Sequence, residues 1–462
     1  MPAALEPYVP SPQDPWDESK AAHLLRRTGF GPLPSEIAQA VQAGPGAAVA
    51  SALALPRNPG PGPAFDEVLS AEANAEALHR SLGRVKVKDT PQLRAAYQAA
   101  TRAHGRAIMD LTMWWLDWMA KTKAPLQEKL TLFWHGHFTS SMGDVHDAIA
   151  MYKQNDLFRR HAAGNFARLL DGVARDPAML KYLDNDVNRR GHPNENWARE
   201  LMELFTMGIG HYTENDVLES ARAWTGWTLR GGRFEDRRAF DFKPRLHDDG
   251  IKTFLDTAGK LDGTDIMRII LAQPATPRWL AGKLAKFFVS PNPDPELVEA
   301  MAQELASGGY EITPVLRSVF QSRAFYRPEV MYSLVKGPTE YVVGAVRQLG
   351  IEDPDWRRLA QLTEEAGQHL FFPPTVAGWH GGTAWINAAT VFNRANIAGL
   401  LVSGRLGTPR TSSLSMPETA AAQLLQRPLP PARQALLAQA YGRGTGQEGV
   451  HLIMSLPEYQ VC

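Results

Sequence analysis

The chain has 462 residues, of which 44% are hydrophobic and 21% are charged, which is typical of a globular protein with a large core. Its 49 lysine and arginine residues equal its 49 aspartate and glutamate residues in number, which argues against bulk attraction to nucleic acid or to an anionic membrane. The single cysteine, Cys462, excludes an intrachain disulfide and a cysteine-based zinc site.

The first residues, Met1 to Pro7, include neither a positive segment nor an apolar one, so they do not resemble a signal peptide. No run approaches the roughly 18 apolar residues that suggest a membrane span. From the sequence as written we expect a soluble, cytoplasmic protein with no nucleic acid partner and no membrane span.

Helical signals dominate the chain. Thr213 followed by Asp216 has the pattern of a capping box. A capping residue followed by proline predicts helix starts at Thr276, Asp294 and Thr313, and the second of these helices should end at 308–309. Apolar residues recur with a period of 3.6 in the segments 126–138, 153–171, 214–227 and 264–288.

Strand signals are confined to 228–255, where short alternating runs such as Phe240-Asp241-Phe242 occur. Proline and glycine predict a loop at 56–63. We therefore predict a mainly α, multi-helical globular protein with a small β insertion near 228–255. Its predicted parts are a main helical domain over 1–403, a flexible linker over 404–418, and a C-terminal helical segment over 419–462 that packs on the main domain.

The segment 194–208 predicts a helix with two unlike faces. One face is apolar, whereas Asn196, Glu200 and Glu203 form a stripe at positions i, i+4 and i+7, with Arg199 beside it. Two carboxylates one turn apart suit a metal site or a proton-transfer site. The alternative is an ordinary solvent-exposed helix face.

Histidine 137 is the next candidate. In a helix that begins near Pro125, His137 shares a face with Leu130 and Phe133, while His135 points nearly opposite and is expected to be more exposed. An imidazole on that face is either a core side chain bonded to a carbonyl, or a metal ligand or acid–base group.

His247 and Asp248 lie in the predicted β insertion, just before Gly250. A histidine beside an aspartate can bind a metal or orient a proton transfer, but the same residues are common in turns. A further candidate is the segment 367–387, rich in tryptophan, proline and glycine, which we call the Trp loop. Such a loop lines a pocket, stacks on a sugar, or plugs the space between helical lobes.

Several motifs of well-known enzymes are missing from the sequence. It has no phosphate-binding loop, no dinucleotide-binding Gly-x-Gly-x-x-Gly after a strand, no His-Glu-x-x-His and no Gly-x-Ser-x-Gly. Nucleotide-dependent chemistry and the commonest types of hydrolase active site are therefore disfavoured.

Taken together, the ordered motifs resemble the bacterial domain-of-unknown-function 1800 family over nearly the whole chain. The motifs are His-Leu-Leu-Arg-Arg-Thr-Gly-Phe-Gly at 23–31, Phe-Trp-His-Gly-His-Phe at 133–138, Arg-His-Ala-Ala-Gly-Asn-Phe at 160–166, the 194–208 helix, Ala-Arg-Ala-Trp-Thr-Gly-Trp at 221–227, His247-Asp248 with Lys252-Thr253, Pro-Pro-x-Val-x-Gly-Trp at 373–379, and Ser-x-Pro-Glu-Tyr-Gln at 455–460.

The resemblance implies no established reaction. It does imply a frequent export signal among relatives, which makes a periplasmic location the alternative to the cytoplasm, and a possible sulfatase-like protein partner, because the genes of relatives often lie beside such a family. The candidate residues His137, Glu200, Glu203, His247 and Asp248 fall within the family's motif segments.

We therefore expect a metal-dependent enzyme, hydrolytic or oxidative, with its site between the helical core and the β insertion. His137, Glu203 and His247 are the expected ligands of a divalent zinc, iron, manganese or magnesium ion, and Glu200 and Asp248 the expected catalytic residues. The alternative is a non-catalytic binding or scaffold protein whose Trp loop engages a polysaccharide, a small molecule or a protein partner.

Overall fold

A computed structural model describes residues 3–56, 62–83, 85–231, 234–410, 414–427, 429–443 and 446–462. Most of the predicted loop at 56–63 and a part of the predicted linker, 411–413, lie outside the described residues. None of the helices in these ranges combines the length and the apolar character that crossing a bilayer requires, as the sequence predicted.

The architecture is mainly α, as predicted. The helices are α1 (Glu18–Thr28), α2 (Pro34–Ala43), α3 (Pro45–Ala52), α4 (Asp66–Leu82), α5 (Pro91–Lys121), α6 (Pro125–His137), α7 (Met142–Val145), α8 (Ala148–Arg160), α9 (Phe166–Ala174), α10 (Pro177–Tyr182), α11 (Asn196–Glu200), α12 (Glu214–Ala223), α13 (Gly263–Leu271), α14 (Ala275–Phe288), α15 (Pro295–Ser307), α16 (Ile312–Phe320), α17 (Pro338–Gln348), α18 (Trp356–Glu365), α19 (Ala388–Val402), α20 (Pro417–Leu425), α21 (Pro431–Arg443) and α22 (Gly446–Ser455).

The β insertion consists of two small antiparallel hairpins, which confirms the prediction for 228–255. Strand β1 (Trp227–Leu229) pairs with β2 (Phe240–Phe242), and β3 (Lys252–Phe254) pairs with β4 (Thr257–Gly259). Two-stranded ribbons of this length are marginal alone, so they depend on packing against the helices.

Two of the predicted helix starts are confirmed and two are wrong. The Thr213 and Asp216 capping box begins α12, and Asp294 caps α15, which ends before Gly308. Thr276 instead lies inside α14 and donates to the carbonyl of Ile270, at 2.6 Å. Thr313 lies inside α16 and donates to the carbonyl of Ala163. Thr276 therefore bonds to a carbonyl six residues back in α13 and Thr313 to one 150 residues away, so neither hydroxyl caps its helix.

Two long periodic segments are each divided into two helices. The segment 153–171 is interrupted after α8, and Asn165 caps the next helix, α9, by accepting from the Arg168 N–H at 3.1 Å. The segment 264–288 is interrupted between α13 and α14, where Pro274 cannot continue a helix that precedes it. Apolar periodicity persists across such breaks, because both helices pack on the same core.

In the described part of the chain, the apolar core consists of three clusters. The largest joins the N-terminal helices to α14–α16, and another surrounds Trp115 of α5 and Phe371 of the Trp loop. The remaining cluster combines residues of α17–α19 with residues of α20–α22, so the C-terminal helices share a core with the helices before them. The division into a domain, a linker and a C-terminal segment stays a prediction.

A buried ion pair connects α6 with α8. Glu128 and Arg159 are 0% and 1% exposed, and the guanidinium donates to both carboxylate oxygens at 2.7 and 2.9 Å. The indoles of Trp115 and Trp118 donate to the same carboxylate at 2.8 and 3.1 Å. Four donors therefore satisfy one buried carboxylate, as burial of a charge requires.

Asp176, which caps α10, predicts a pH dependence of stability. Burial raises the pKa of Asp176 to about 7, although the Met179 N–H and Gln154 donate to its carboxylate. The native state therefore keeps a proton on Asp176 that the unfolded state releases near pH 4. The resulting stabilisation of the native state is fully present below pH 4 and is lost as the pH rises to about 7. We expect the free energy of unfolding to fall across that window in wild type, relative to Asp176→Asn. Urea titrations from pH 4 to pH 8 measure this, and parallel curves would contradict it.

Candidate functional site

The Trp loop lies directly against α6, so two of the predicted motifs meet. A Cβ atom on Gly378 would stand 2.3 Å from the carbonyl oxygen of Gly136, and Gly378 has a φ of +84°. Both properties demand glycine at this position. The backbones of the Phe-Trp-His-Gly-His-Phe helix and of the Ala-Gly-Trp turn are therefore in contact.

Beside this contact lies a cavity of about 510 Å³, which we call the loop cavity. Its size is typical of a small-molecule site. Its walls are α6, α14, the segment 333–340 and the Trp loop. Its lining residues include Lys129, Phe133, His137, Lys283, Lys286, Phe287, Trp379 and Trp385.

His137 is buried, as predicted, and it lines the loop cavity. Its Nε2 lies 3.0 Å from the carbonyl oxygen of Phe205, so Nε2 carries the proton and donates. Burial, together with the nearby charge of Lys283, lowers the pKa of His137 to about 3. The ring is therefore neutral near pH 7, and its Nδ1 is an acceptor without a hydrogen-bond partner among the described residues.

The prediction that His135 is more exposed than His137 is wrong, since His135 is 2% exposed. Its Nε2 is 2.9 Å from the Asn155 amide, and its ring packs against Trp115 and Phe158. Helix α6 is covered on both of its sides, so its helical phase does not separate a buried face from an exposed one.

Lys283 gives the loop cavity a positive charge. Its side chain is half-buried, and its ammonium lies 4.8 Å from the centre of the Trp279 ring. Burial, and then the charge of Lys286, lowers the pKa of Lys283, and no carboxylate of the described residues contributes to that shift. Lys286 lines the same cavity.

Glu200 and Glu203 lie where α11 continues into a π-helix at Leu201–Thr206. Both carboxylates are half-buried, and the Tyr212 hydroxyl donates to Glu203 at 3.2 Å. Burial, and then the charge of Glu203, raises the pKa of Glu200. The neighbouring Arg199 does not contact this pair, because it forms ion pairs with Glu195 and Glu214 instead.

Asp248 forms an ion pair that connects the β insertion to α12. The Arg222 Nε donates to Asp248 at 2.8 Å, and the same guanidinium contacts Glu219 at 2.9 Å. The hydrogen bond from Arg222 lowers the pKa of Asp248 to about 2, which makes this carboxylate a weak proton acceptor. His247 is half-buried, and its Nδ1 donates to the carbonyl of Thr225 at 2.9 Å.

The structure does not gather the five predicted site residues into one group. Each of them has its own neighbours, as described above, and His137, Glu203 and His247 do not form a set whose ligand atoms lie within 4.8 Å of one another. Among the described residues, the set that meets this distance is Glu72, His104 and Asp147.

The group of Glu72, His104 and Asp147, which we call the Glu72 cluster, was not predicted from the sequence. His104 Nε2 lies 2.9 Å from Glu72, and the Ala148 N–H donates to His104 Nδ1 at 3.1 Å. Its members lie on α4, on α5 and at the start of α8, and are up to 75 residues apart. No local spacing therefore connects them in the sequence.

An arginine fills the centre of the Glu72 cluster. The Arg238 Nε donates to Asp147 at 2.6 Å, and its Nη1 donates to Glu72 at 3.1 Å. Burial alone would raise the pKa of Glu72, but hydrogen bonds from His104 and Arg238 lower it below its ordinary value. The guanidinium supplies the positive charge that a metal ion would otherwise supply, so the geometry is that of an ion network.

Comparison with known proteins agrees with the resemblance. The family described as "Protein of unknown function (DUF1800)" matches residues 23–461. The chain belongs to this family. The comparison with curated proteins gives no match, and neither does the comparison with solved structures.

Proposed function

We propose that the chain is a binding protein for an anionic saccharide, such as a uronate or a sulfated sugar, and that the ligand occupies the loop cavity. The observation that carries this proposal is Lys283, a half-buried ammonium beside a cavity of about 510 Å³, with no carboxylate acting on it among the described residues. A partly desolvated cation gains most from an anionic partner that is also shielded from water.

The aromatic residues favour a ring-shaped, polar ligand. Trp379 is half-buried and lines the cavity from the Trp loop, while Phe133 and Phe287 line it from α6 and α14. An indole offers a flat apolar face together with a polar N–H, which suits a sugar that has both C–H surfaces and hydroxyl groups.

Two lining residues also have unused hydrogen-bonding atoms. Neither His137 Nδ1, an acceptor, nor Trp379 Nε1, a donor, has a partner among the described residues. Buried polar atoms normally have one, and a polyhydroxylated ligand provides both donors and acceptors.

Replacing Lys283 by methionine tests the proposal, because methionine keeps much of the side-chain volume and removes the charge. We expect Lys283→Met to weaken binding of a trigalacturonate probe by about ten-fold, since a charged hydrogen bond is lost. Isothermal titration calorimetry measures the dissociation constant, and the probe should also change the tryptophan fluorescence of wild type.

The matched control is Lys181→Met, which removes an exposed lysine of α10 that does not line the loop cavity. It should leave binding unchanged. A parallel titration with glucose 6-sulfate shows whether the site prefers a sulfated sugar to a carboxylated one. Maltotriose serves as the neutral sugar. Equal binding of maltotriose and trigalacturonate, or binding of none of the three probes, would overturn the proposal.

The metal-dependent enzyme stays a prediction that the geometry supports less well. It requires His137, Glu203 and His247 to move into one coordination shell, and it requires Asp248 to leave Arg222. Elemental analysis of purified wild type and Glu203→Gln tests it, with melts in the presence and absence of chelator. The sulfatase-like partner and the cellular location likewise stay predictions.

A further inference from the structure

Four cationic side chains are buried together behind the loop cavity, and we call them the cation cluster. Arg26 and Arg27 come from α1, Lys129 from α6, and Lys336 from the segment before α17. Their exposed fractions are 5%, 1%, 3% and 9%, respectively. Burying so many like charges is costly unless anions accompany them.

One of the four has a carboxylate partner. The Lys129 ammonium lies 2.6 Å from Glu340, and it also donates to the carbonyls of Arg26 and Gly29 at 2.9 and 3.1 Å. Its charge and its hydrogen bonds are therefore satisfied.

The arginines have neutral partners in the described residues. Arg26 donates to the Gln426 amide at 2.8 Å and lies 4.2 Å from the centre of the Tyr332 ring. Arg27 donates to the carbonyl of Val330 at 2.6 Å. Two nitrogens on each guanidinium are buried and have no partner among the described residues, namely Nε and Nη2 of Arg26, and Nε and Nη1 of Arg27.

Lys336 also lacks an ion pair among the described residues. Its ammonium lies 3.8 Å from the centre of the Tyr459 ring, and the charges that act on it include Arg26, Glu340 and Cys462. Within the cation cluster Glu340 is the carboxylate partner of Lys129, whereas Arg26, Arg27 and Lys336 have no carboxylate partner among the described residues.

A small cavity lies among these groups. Its volume is about 10 Å³, which is on the scale of a single water molecule, and its walls include Arg26, Lys129, Lys336 and Glu340. Arg26, whose Nε and Nη2 have no partner among the described residues, is therefore one wall of a space of atomic size. A phosphate or a sugar acid is too large for such a space, and a monatomic anion is the kind of anion closest to it in size.

We propose that a halide ion, chloride under ordinary conditions, binds between Arg26 and Lys336 and compensates the buried charge of the cation cluster. The site is independent of the saccharide proposal, although Lys129, Glu340 and Cys462 lie between the two cavities and line both.

The experiment compares thermal unfolding of the full chain in sodium chloride, sodium bromide and sodium gluconate at equal ionic strength. We expect the melting temperature to be higher by a few degrees in the halides, because an ion that binds only the native state stabilises it by mass action. Lys336→Met should abolish the difference between the salts, because it removes one of the two cations that hold the ion.

Lys286→Met is the matched control, since it removes a cation from the loop cavity alone and should keep the full halide response. If Lys336→Met does not fold, anomalous scattering from wild-type crystals soaked in bromide tests whether a halide occupies the site. We expect an anomalous peak between Arg26 and Lys336. Equal melting temperatures in all three salts, or bromide-soaked crystals without that peak, would overturn the halide site. Either result leaves trigalacturonate binding in the loop cavity unaffected.

Discussion

Replacing Arg159 by methionine is expected to lower the free energy of unfolding by about 3–5 kcal/mol, which is the typical cost of breaking a buried ion pair from one side. The variant leaves the Glu128 carboxylate, which is 0% exposed, with two indole donors and no countercharge. Urea denaturation measured by circular dichroism gives the change.

Arg160→Met provides the control for Arg159→Met. Arg160 is the next residue along α8 and pairs with Asp156 at 2.7 Å, but its side chain is 57% exposed. Surface pairs one turn apart contribute little, so a change of about 0.5 kcal/mol or less is expected. A loss below about 1 kcal/mol for Arg159→Met would show that the protein relaxes and lets water reach Glu128.

The second large effect is expected for Arg238→Met. The change removes the guanidinium that joins Glu72 to Asp147, with Arg238 and Glu72 only 3% and 5% exposed at their side chains. We expect a loss of about 3 kcal/mol, because Glu72 keeps only the bond from His104. Thermal and urea unfolding measure it, with Arg237→Met, an exposed neighbour, as the control.

A double variant distinguishes two causes of destabilisation, namely the loss of the ion pair itself and the burial of a carboxylate without a countercharge. If the cost comes from leaving Glu72 buried without a countercharge, Arg238→Met with Glu72→Gln should be more stable than Arg238→Met alone. Additive losses from the two substitutions would contradict the view that Arg238 and Glu72 act as a pair.

Local signals in the sequence predicted the fold class well. The Thr213 capping box, the Asp294 cap and the strands near Phe240 are decided by residues a few positions apart, and all three are present. The caps at Thr276 and Thr313 were wrong, because these hydroxyls bond instead to the carbonyl of Ile270 in the preceding helix and to that of Ala163, which is distant in sequence. Pro274 divides the periodic segment 264–288 into two helices, a break that apolar periodicity alone did not predict.

The site was harder to predict, because charged partners are distant in sequence. The helical pattern placed His137 correctly in the interior, but it did not show that Arg222 pairs with Asp248 or that Lys283 lies near His137. The Glu72 cluster left no sequence signal at all. The Trp loop was recognised by composition alone, and its role in lining a cavity is one of the alternatives that the sequence left open.

The contact between Gly136 and Gly378 constrains how the loop cavity can change by mutation. A side chain at Gly378 would collide with the Gly136 carbonyl and displace the Trp loop from α6, whereas a Cβ atom at Gly136 would meet the Trp379 ring at an ordinary distance of 3.8 Å. The tryptophans and lysines around the rim are not constrained in this way. Substitutions at the rim therefore alter the charge and shape of the loop cavity, while substitution of Gly378 alters the position of the Trp loop itself.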